Sequence, residues 1–289
     1  MKIKESELVL QPGGQIYHLN LFPEEIADTI IVVGDPGRVE IISHYFDTID
    51  IKRHNRELTT HTGTLKGKPI TVLSSGMGTD NIDIVMTELD ALANIDLKKR
   101  EIKKEHKSLN IIRIGTCGAL QPEIEVNSFV ASAYGFGFDG LLNFYEHDGI
   151  SDEKLVKSFV KATGWNEKLP YPYCVPADPH LLDTIAFDMT QGITASAPGF
   201  FGPQGRHIRL NLKYPDLNEK IEQFNYNGKK ITNLEMECSA IYGLGKALGH
   251  RTLTVCVAIA NRVSKKFSSD YKPHVVRLIE TVLERVVNI

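Results

Sequence analysis

Short β-branched runs that end in a glycine turn and lead into helix-periodic stretches recur along this chain, and they narrow its fold more than any other feature. Ile30–Val33 ends at Gly34, and Val39, Ile41, Ile42, Tyr45 and Phe46 follow at helical spacing. ITVLSS at 70–75 leads through GMGTDN into a helical stretch whose Ile84, Met86, Leu89 and Leu92 share broadly one side. IIRIG at 111–115 and SFVASAY at 128–134 read as further strands, and TLTVCVAIA at 252–260 as a strand buried on both faces. Val275, Leu278, Ile279, Val282 and Val286 close the chain as an amphipathic helix after Pro273. Strands alternating with helices predict an α/β fold around a central sheet.

At 289 residues the chain corresponds to two small domains or one large α/β unit, at roughly 150 residues per domain. Its 33 basic and 36 acidic residues leave a net charge of −3, which excludes a protein that works by coating nucleic acid or an anionic membrane. Any anion site must be local. The basic run KKREIKKEHK at 98–107 is interrupted by acids and reads as a solvated loop or helix end. No stretch approaches the ~18 apolar residues of a membrane span. The opening MKIKESELVLQPGGQIYHLN lacks the apolar region of a signal peptide, so the expected location is cytoplasmic. Cys117, Cys174, Cys238 and Cys256 have no CxxC spacing and the histidines form no HExxH pair, so neither a disulfide framework nor a histidine-based metal centre is expected.

Four constellations carry candidate chemistry. Gly34-Asp35-Pro36-Gly37-Arg38 is either an ordinary turn or a place where backbone N–H groups and a guanidinium converge on an anion. Arg113 lies inside an apolar strand, where an arginine needs a partner: a structural carboxylate, or a phosphate held beside Thr116 at the strand's carboxyl end. Glu235-Met236-Glu237 precedes a helical stretch, where carboxylates either cap the helix or accept the hydroxyls of a ribose diol. Phe200 through Arg206 is either an anchored loop or a base pocket in which an aromatic supports a planar ring and Gln204 and Arg206 bond its polar edge. GFGFDG at 135–140 fits the dinucleotide pattern GxGxxG, but no clean long helix follows it, and a nicotinamide site is not expected.

Together with Tyr17-His18-Leu19, SSGMGTDN and AIANR, these motifs resemble the nucleoside phosphorylase superfamily, and within it the uridine phosphorylases, along almost the whole chain. The resemblance implies one α/β domain over residues 1–289, with a central twisted mixed β-sheet flanked by helices. It implies reversible phosphorolysis of uridine, with deoxyuridine or thymidine as further substrates, in pyrimidine salvage. Gly34, Arg38, Arg113 and Thr116 would hold phosphate, the co-substrate, with Arg56 arriving from a neighbouring subunit. Glu235, Met236 and Glu237 would hold ribose, joined by His18 from across a dimer interface. Phe200, Gln204, Arg206 and Arg262 would form the uracil pocket.

Arg113, Glu237, Arg206 and Gln204 are therefore the expected catalytic set, in a homodimer that can assemble into a hexamer. No organic cofactor, nucleic acid or membrane partner is expected. Bacterial relatives bind potassium through a glutamate matching Glu57, a carbonyl near Met77 and a serine whose place is taken here by Asn81. Purine-acting relatives carry a Ser-Asp pair where this chain has Ala260-Asn261, which favours a pyrimidine. A purine phosphorylase, a nucleosidase and a non-catalytic nucleoside or phosphate sensor are the alternatives.

Overall fold

The computed structural model describes residues 2–289. In chain order, β1 (Thr29–Val33) leads into α1 (Gly37–Ser43), and β2 (Thr48–Asn55), β3 (Leu58–Leu65) and β4 (Lys68–Ser74) form an antiparallel meander. After α2 (Thr79–Asn94), the small hairpin of β5 (Ile95–Asp96) and β6 (Glu101–Ile102) precedes β7 (Asn110–Ala119) and β8 (Phe129–Gly137). Next come α3 (Glu153–Thr163), β9 (Tyr173–Pro176), α4 (Pro179–Ile185) and β10 (Thr190–Ser196). The chain ends with α5 (Leu217–Gln223), β11 (Asn225–Tyr226), β12 (Lys229–Glu235), α6 (Cys238–Ala247), β13 (Arg251–Asn261), β14 (Lys266–Phe267) and α7 (Lys272–Val286).

Twelve strands form one mixed sheet in the order β11-β12-β10-β8-β13-β7-β1-β4-β3-β2, with β9 and β14 added beside β8 and β13. β4, β1, β7 and β13 run parallel to one another, as do β8, β10 and β12. β13 meets β8 antiparallel, and the last residues of β7 pair antiparallel with β12, Gly118 opposite Leu234 and Ala119 opposite Asn233. That pairing closes five strands into a ring. It also brings the carboxyl ends of the two parallel sets together, which is where α/β sheets place ligands.

β1 is buried at every position, as its unbroken aliphatic run requires when both faces are covered. α2 buries Ile82, Val85, Met86, Leu89 and Leu92, so the stripe differs by a fraction of a turn from the expected one, and Ile84 is only partly covered. All five apolar positions expected on α7 are buried. β7 is longer than IIRIG suggests: Gly115-Thr116-Cys117-Gly118 is strand rather than turn, because Cys256 to Ala260 of β13 pair along it. The GFG of GFGFDG is likewise the end of β8. Its glycines let other elements close in, since a Cβ at Gly135 would stand 3.1 Å from Ser239 Cα and one at Gly137 would strike the Tyr173 ring. Residues 98–107 are mostly exposed turn and loop. Among the described residues, no helix is long and apolar enough to cross a membrane.

Candidate active site

A cavity of ≈ 790 Å³ opens where the carboxyl ends of β1, β4, β7, β12 and β13 meet. Gly34 and Arg38 line it from the β1–α1 turn, Arg113 and Thr116 from β7, and Glu235 to Glu237 from the β12–α6 junction. Phe200, Gln204 and Arg206 enter from the loop after β10, and Arg262 from the end of β13.

Arg113 is the centre of the charge arrangement. Its guanidinium is almost fully buried, with Nη1 3.0 Å from Glu235 Oε2 and Nη2 paired with Glu237 Oε2. Burial works against the charge, but Glu237 and Glu235 outweigh it and hold the arginine pKa above its ordinary value. Gly115 makes the pose possible, because a Cβ there would lie 2.8 Å from Arg113 Cζ and collide with Nη1. Glu237 Oε1 accepts the amide of Gly78, at the N-terminus of α2, at 2.8 Å. The carboxylate of Glu235 accepts the amides of Glu237 and Cys238 and the Ser196 hydroxyl, capping α6 as well as pairing with Arg113. Burial pushes the Glu235 carboxyl above its ordinary value, with Arg113 pulling it down and Glu237 pushing it further up.

The other arginines lack such compensation. Arg38 donates to the Ile114 carbonyl at 3.2 Å, and burial followed by the charge of Arg113 brings its pKa below the usual value. Arg206 is brought down to about 10 by burial and by Arg262, and burial lowers Arg262 as well. Arg206 lies over the Phe200 ring, 3.7 Å from its centroid, and donates to Gln204 Oε1 at 2.7 Å. Phe200 therefore lines the cavity with a guanidinium lying over its ring. Arg262 Nη2 donates to the Gln204 carbonyl at 3.0 Å, while its buried Nη1 has no protein partner. These partly buried, undercompensated cations remain charged at neutral pH and favour an anion or the electron-rich edge of a ring.

His18 and Arg56 stand apart from the residues that line this cavity. His18 is held by Glu88, which accepts from the His18 and Leu19 amides and pairs with the imidazole Nδ1 at 2.7 Å. That leaves Nε2 as the ring nitrogen free for another partner. Arg56 sits in the two-residue turn between β2 and β3, exposed and left-handed at φ 55. Glu57, next to it, does reach the cavity wall. A Cβ on Gly76 would stand 3.3 Å from Glu57 Cγ and collide with Asn81 Nδ2. Asn81, which takes the place of the serine, thus packs its amide against Gly76 and beside Glu57.

A family profile described as the phosphorylase superfamily matches residues 28–288. The chain belongs to the phosphorylase superfamily. A uridine phosphorylase of Thermococcus kodakarensis is 30% identical over 257 residues, covering 88% of this chain and 80% of the relative. A purine nucleoside phosphorylase of Vibrio cholerae is 28% identical over 281 residues, covering 94% and 98%. A solved nucleoside phosphorylase of Trypanosoma brucei, described as showing uridine phosphorylase activity, superposes with a TM-score of 0.87 at 32% identity, covering 98% of this chain and 100% of that one. Phosphorylases of this superfamily use phosphate as co-substrate, and no organic cofactor is expected.

Some cavity residues of this superfamily member escaped sequence reasoning. Lys265, Lys266 and Phe267 reach the wall because β14 folds back on β13, a pairing that no local pattern announces. Glu88 had a readable signal, a carboxylate on the buried face of α2.

Proposed function

We propose that the chain is a uridine phosphorylase, cleaving uridine with inorganic phosphate to uracil and ribose 1-phosphate. The observation that carries the reading is the buried Arg113–Glu237 pair, which shares one cavity with Arg38 and with the Gln204–Arg206–Arg262 group. A cation for phosphate and a carboxylate for a diol lie side by side there.

Phosphate on Arg38 and Arg113, beside Thr116 and the Gly34 turn, is concentrated and oriented under C1′ of the sugar. Glu237, backed by Met236, accepts the 2′- and 3′-hydroxyls and fixes the ring. As the C1′–N1 bond lengthens, its electron pair moves to uracil and the sugar gains positive charge, which the anionic nucleophile stabilises. A phosphate oxygen then bonds to C1′. Charge arriving on the uracil oxygens and ring nitrogen is met by Arg206, Arg262 and the Gln204 amide. The uracil anion takes up one proton from solvent, matched by the one that hydrogen phosphate gives up, so no side-chain acid–base pair is needed.

Asn261 supports a pyrimidine. Its amide donates to the Gln121 and Ile124 carbonyls, and its oxygen accepts from Val263 and Ser264, so it holds a loop and has no proton to give a purine N7. The proposed active unit is a homodimer, with Arg56 completing the phosphate site and His18 the ribose site of the partner, and such dimers can build a hexamer. The proposed setting is cytoplasmic pyrimidine salvage, where four buried free thiols persist reduced.

The test compares uridine, 2′-deoxyuridine, thymidine, inosine and adenosine at fixed phosphate. Uridine is expected to exceed inosine in kcat/KM by about 100-fold or more. Faster cleavage of inosine would overturn the base assignment.

A further inference from the structure

The two glutamates flanking Met236 occupy different surroundings, although the sequence presents them as a pair. The Glu235 side chain is 2% exposed, and protein donors converge on both its oxygens. Oε1 accepts from the Ser196 hydroxyl at 2.5 Å and the Cys238 amide at 3.0 Å. Oε2 accepts from the Glu237 and Cys238 amides, both at 3.0 Å, and from Arg113 Nη1 at 3.0 Å. Nothing on this carboxylate remains for a ribose hydroxyl. Glu237 accepts only the Gly78 amide besides its pairing with Arg113.

We propose that Glu235 is a positioning residue for phosphate: it touches neither substrate, and it ties Arg113 Nη1 to the first turn of α6. The proposal rests on the phosphorolysis reading above. Arg113 reaches the cavity from the interior of β7, its Nε has no protein partner and its Nη1 meets Cys256 Sγ at 3.6 Å, so the carboxylates are the main fixings of the guanidinium plane. Glu237 has to serve the ribose as well. Glu235 supplies the one charged contact, beside the weaker one from Nη1 to Cys256 Sγ at 3.6 Å, that keeps Arg113 in place while Glu237 turns to the sugar. Its second anchor is the pair of amides that begin α6, so one carboxylate sets the distance between the phosphate arginine and the ribose carboxylate.

The test uses E235D, E235Q and wild-type protein, with thermal midpoints as a control for folding. E235D keeps the charge but withdraws it by one methylene. Phosphate KM is expected to rise about tenfold or more, with uridine KM within about threefold of wild type. E235Q, with its amide nitrogen turned to Ser196, still offers an oxygen to Arg113 and to the α6 amides. It is expected to restore phosphate KM to within about threefold of wild type. Calorimetric titration with inorganic phosphate alone reads the same difference without turnover, so failure of the positioning role and failure of the uridine reading are distinguishable. A larger change in uridine KM than in phosphate KM, unchanged constants in E235D, or a fall in kcat with both KM values intact would each overturn the proposal.

Discussion

Gly115 sits two residues beyond Arg113 on the same face of β7, and its missing side chain is what lets the guanidinium fold inward onto Glu235 and Glu237. Replacing it with alanine leaves the backbone conformation allowed but forces Arg113 out of position. Misplacing a positioned group by about 1 Å costs on the order of 100-fold, so Gly115→Ala should lose at least about that much kcat/KM for phosphorolysis. The far-ultraviolet circular dichroism spectrum should stay that of the wild type. Near-normal turnover would mean that Arg113 does not need the pose observed. Arg113 itself was readable from sequence because an apolar strand interior does not hold an unpaired arginine. The division of labour between Glu235 and Glu237 was not, since two carboxylates two residues apart look alike until the donors around each are known.

Strands and helices that obey one periodicity were the readable elements. β1, β13 and α7 lie where their aliphatic patterns put them. β7 ran past its expected end because glycine serves two purposes: a break in the chain, or room for a neighbouring side chain. The second applies at Gly115, and no local pattern separates them. α7 is held by more than its apolar stripe. Arg285 donates to Asp188 through both terminal nitrogens, at 2.6 and 2.7 Å, and to the Ile185 carbonyl at 2.7 Å. Hydrogen bonding from Arg285 lowers the Asp188 pKa. That contribution is present above the unfolded aspartate value of about 4 and is lost as pH falls through the lowered folded value. Arg285→Ala should cost about 1 kcal/mol in urea unfolding at pH 7, the upper end for a solvent-exposed pair, and the gap should narrow below about pH 4. An equal gap at pH 3 would assign the effect to packing on Phe187.

The molecule as a whole gathers its catalytic candidates from five separate parts of the chain, and pairing of β7 with β12 closes the ring that brings them together. Motif order made the superfamily legible, but the ring was not, because long-range pairing leaves no periodic trace. His18 and Arg56, two residues of the expected set, lie outside the cavity of their own chain. If a second copy supplies them, Arg56→Ala and Arg113→Ala proteins should each be nearly inactive, and subunit exchange should restore activity. Random mixing of equal amounts puts about half of the dimers in the mixed form, each with one intact site. Verified mixed dimers without activity would place Arg56 outside the site. The central claim is that these residues direct phosphate, and not water, at C1′ of uridine. It is tested most directly by following uridine cleavage while inorganic phosphate is titrated from zero, with the sugar product identified. The account predicts no measurable turnover without phosphate, saturation as it is added, and ribose 1-phosphate as the product. Free ribose released at an undiminished rate in phosphate-free buffer would contradict it.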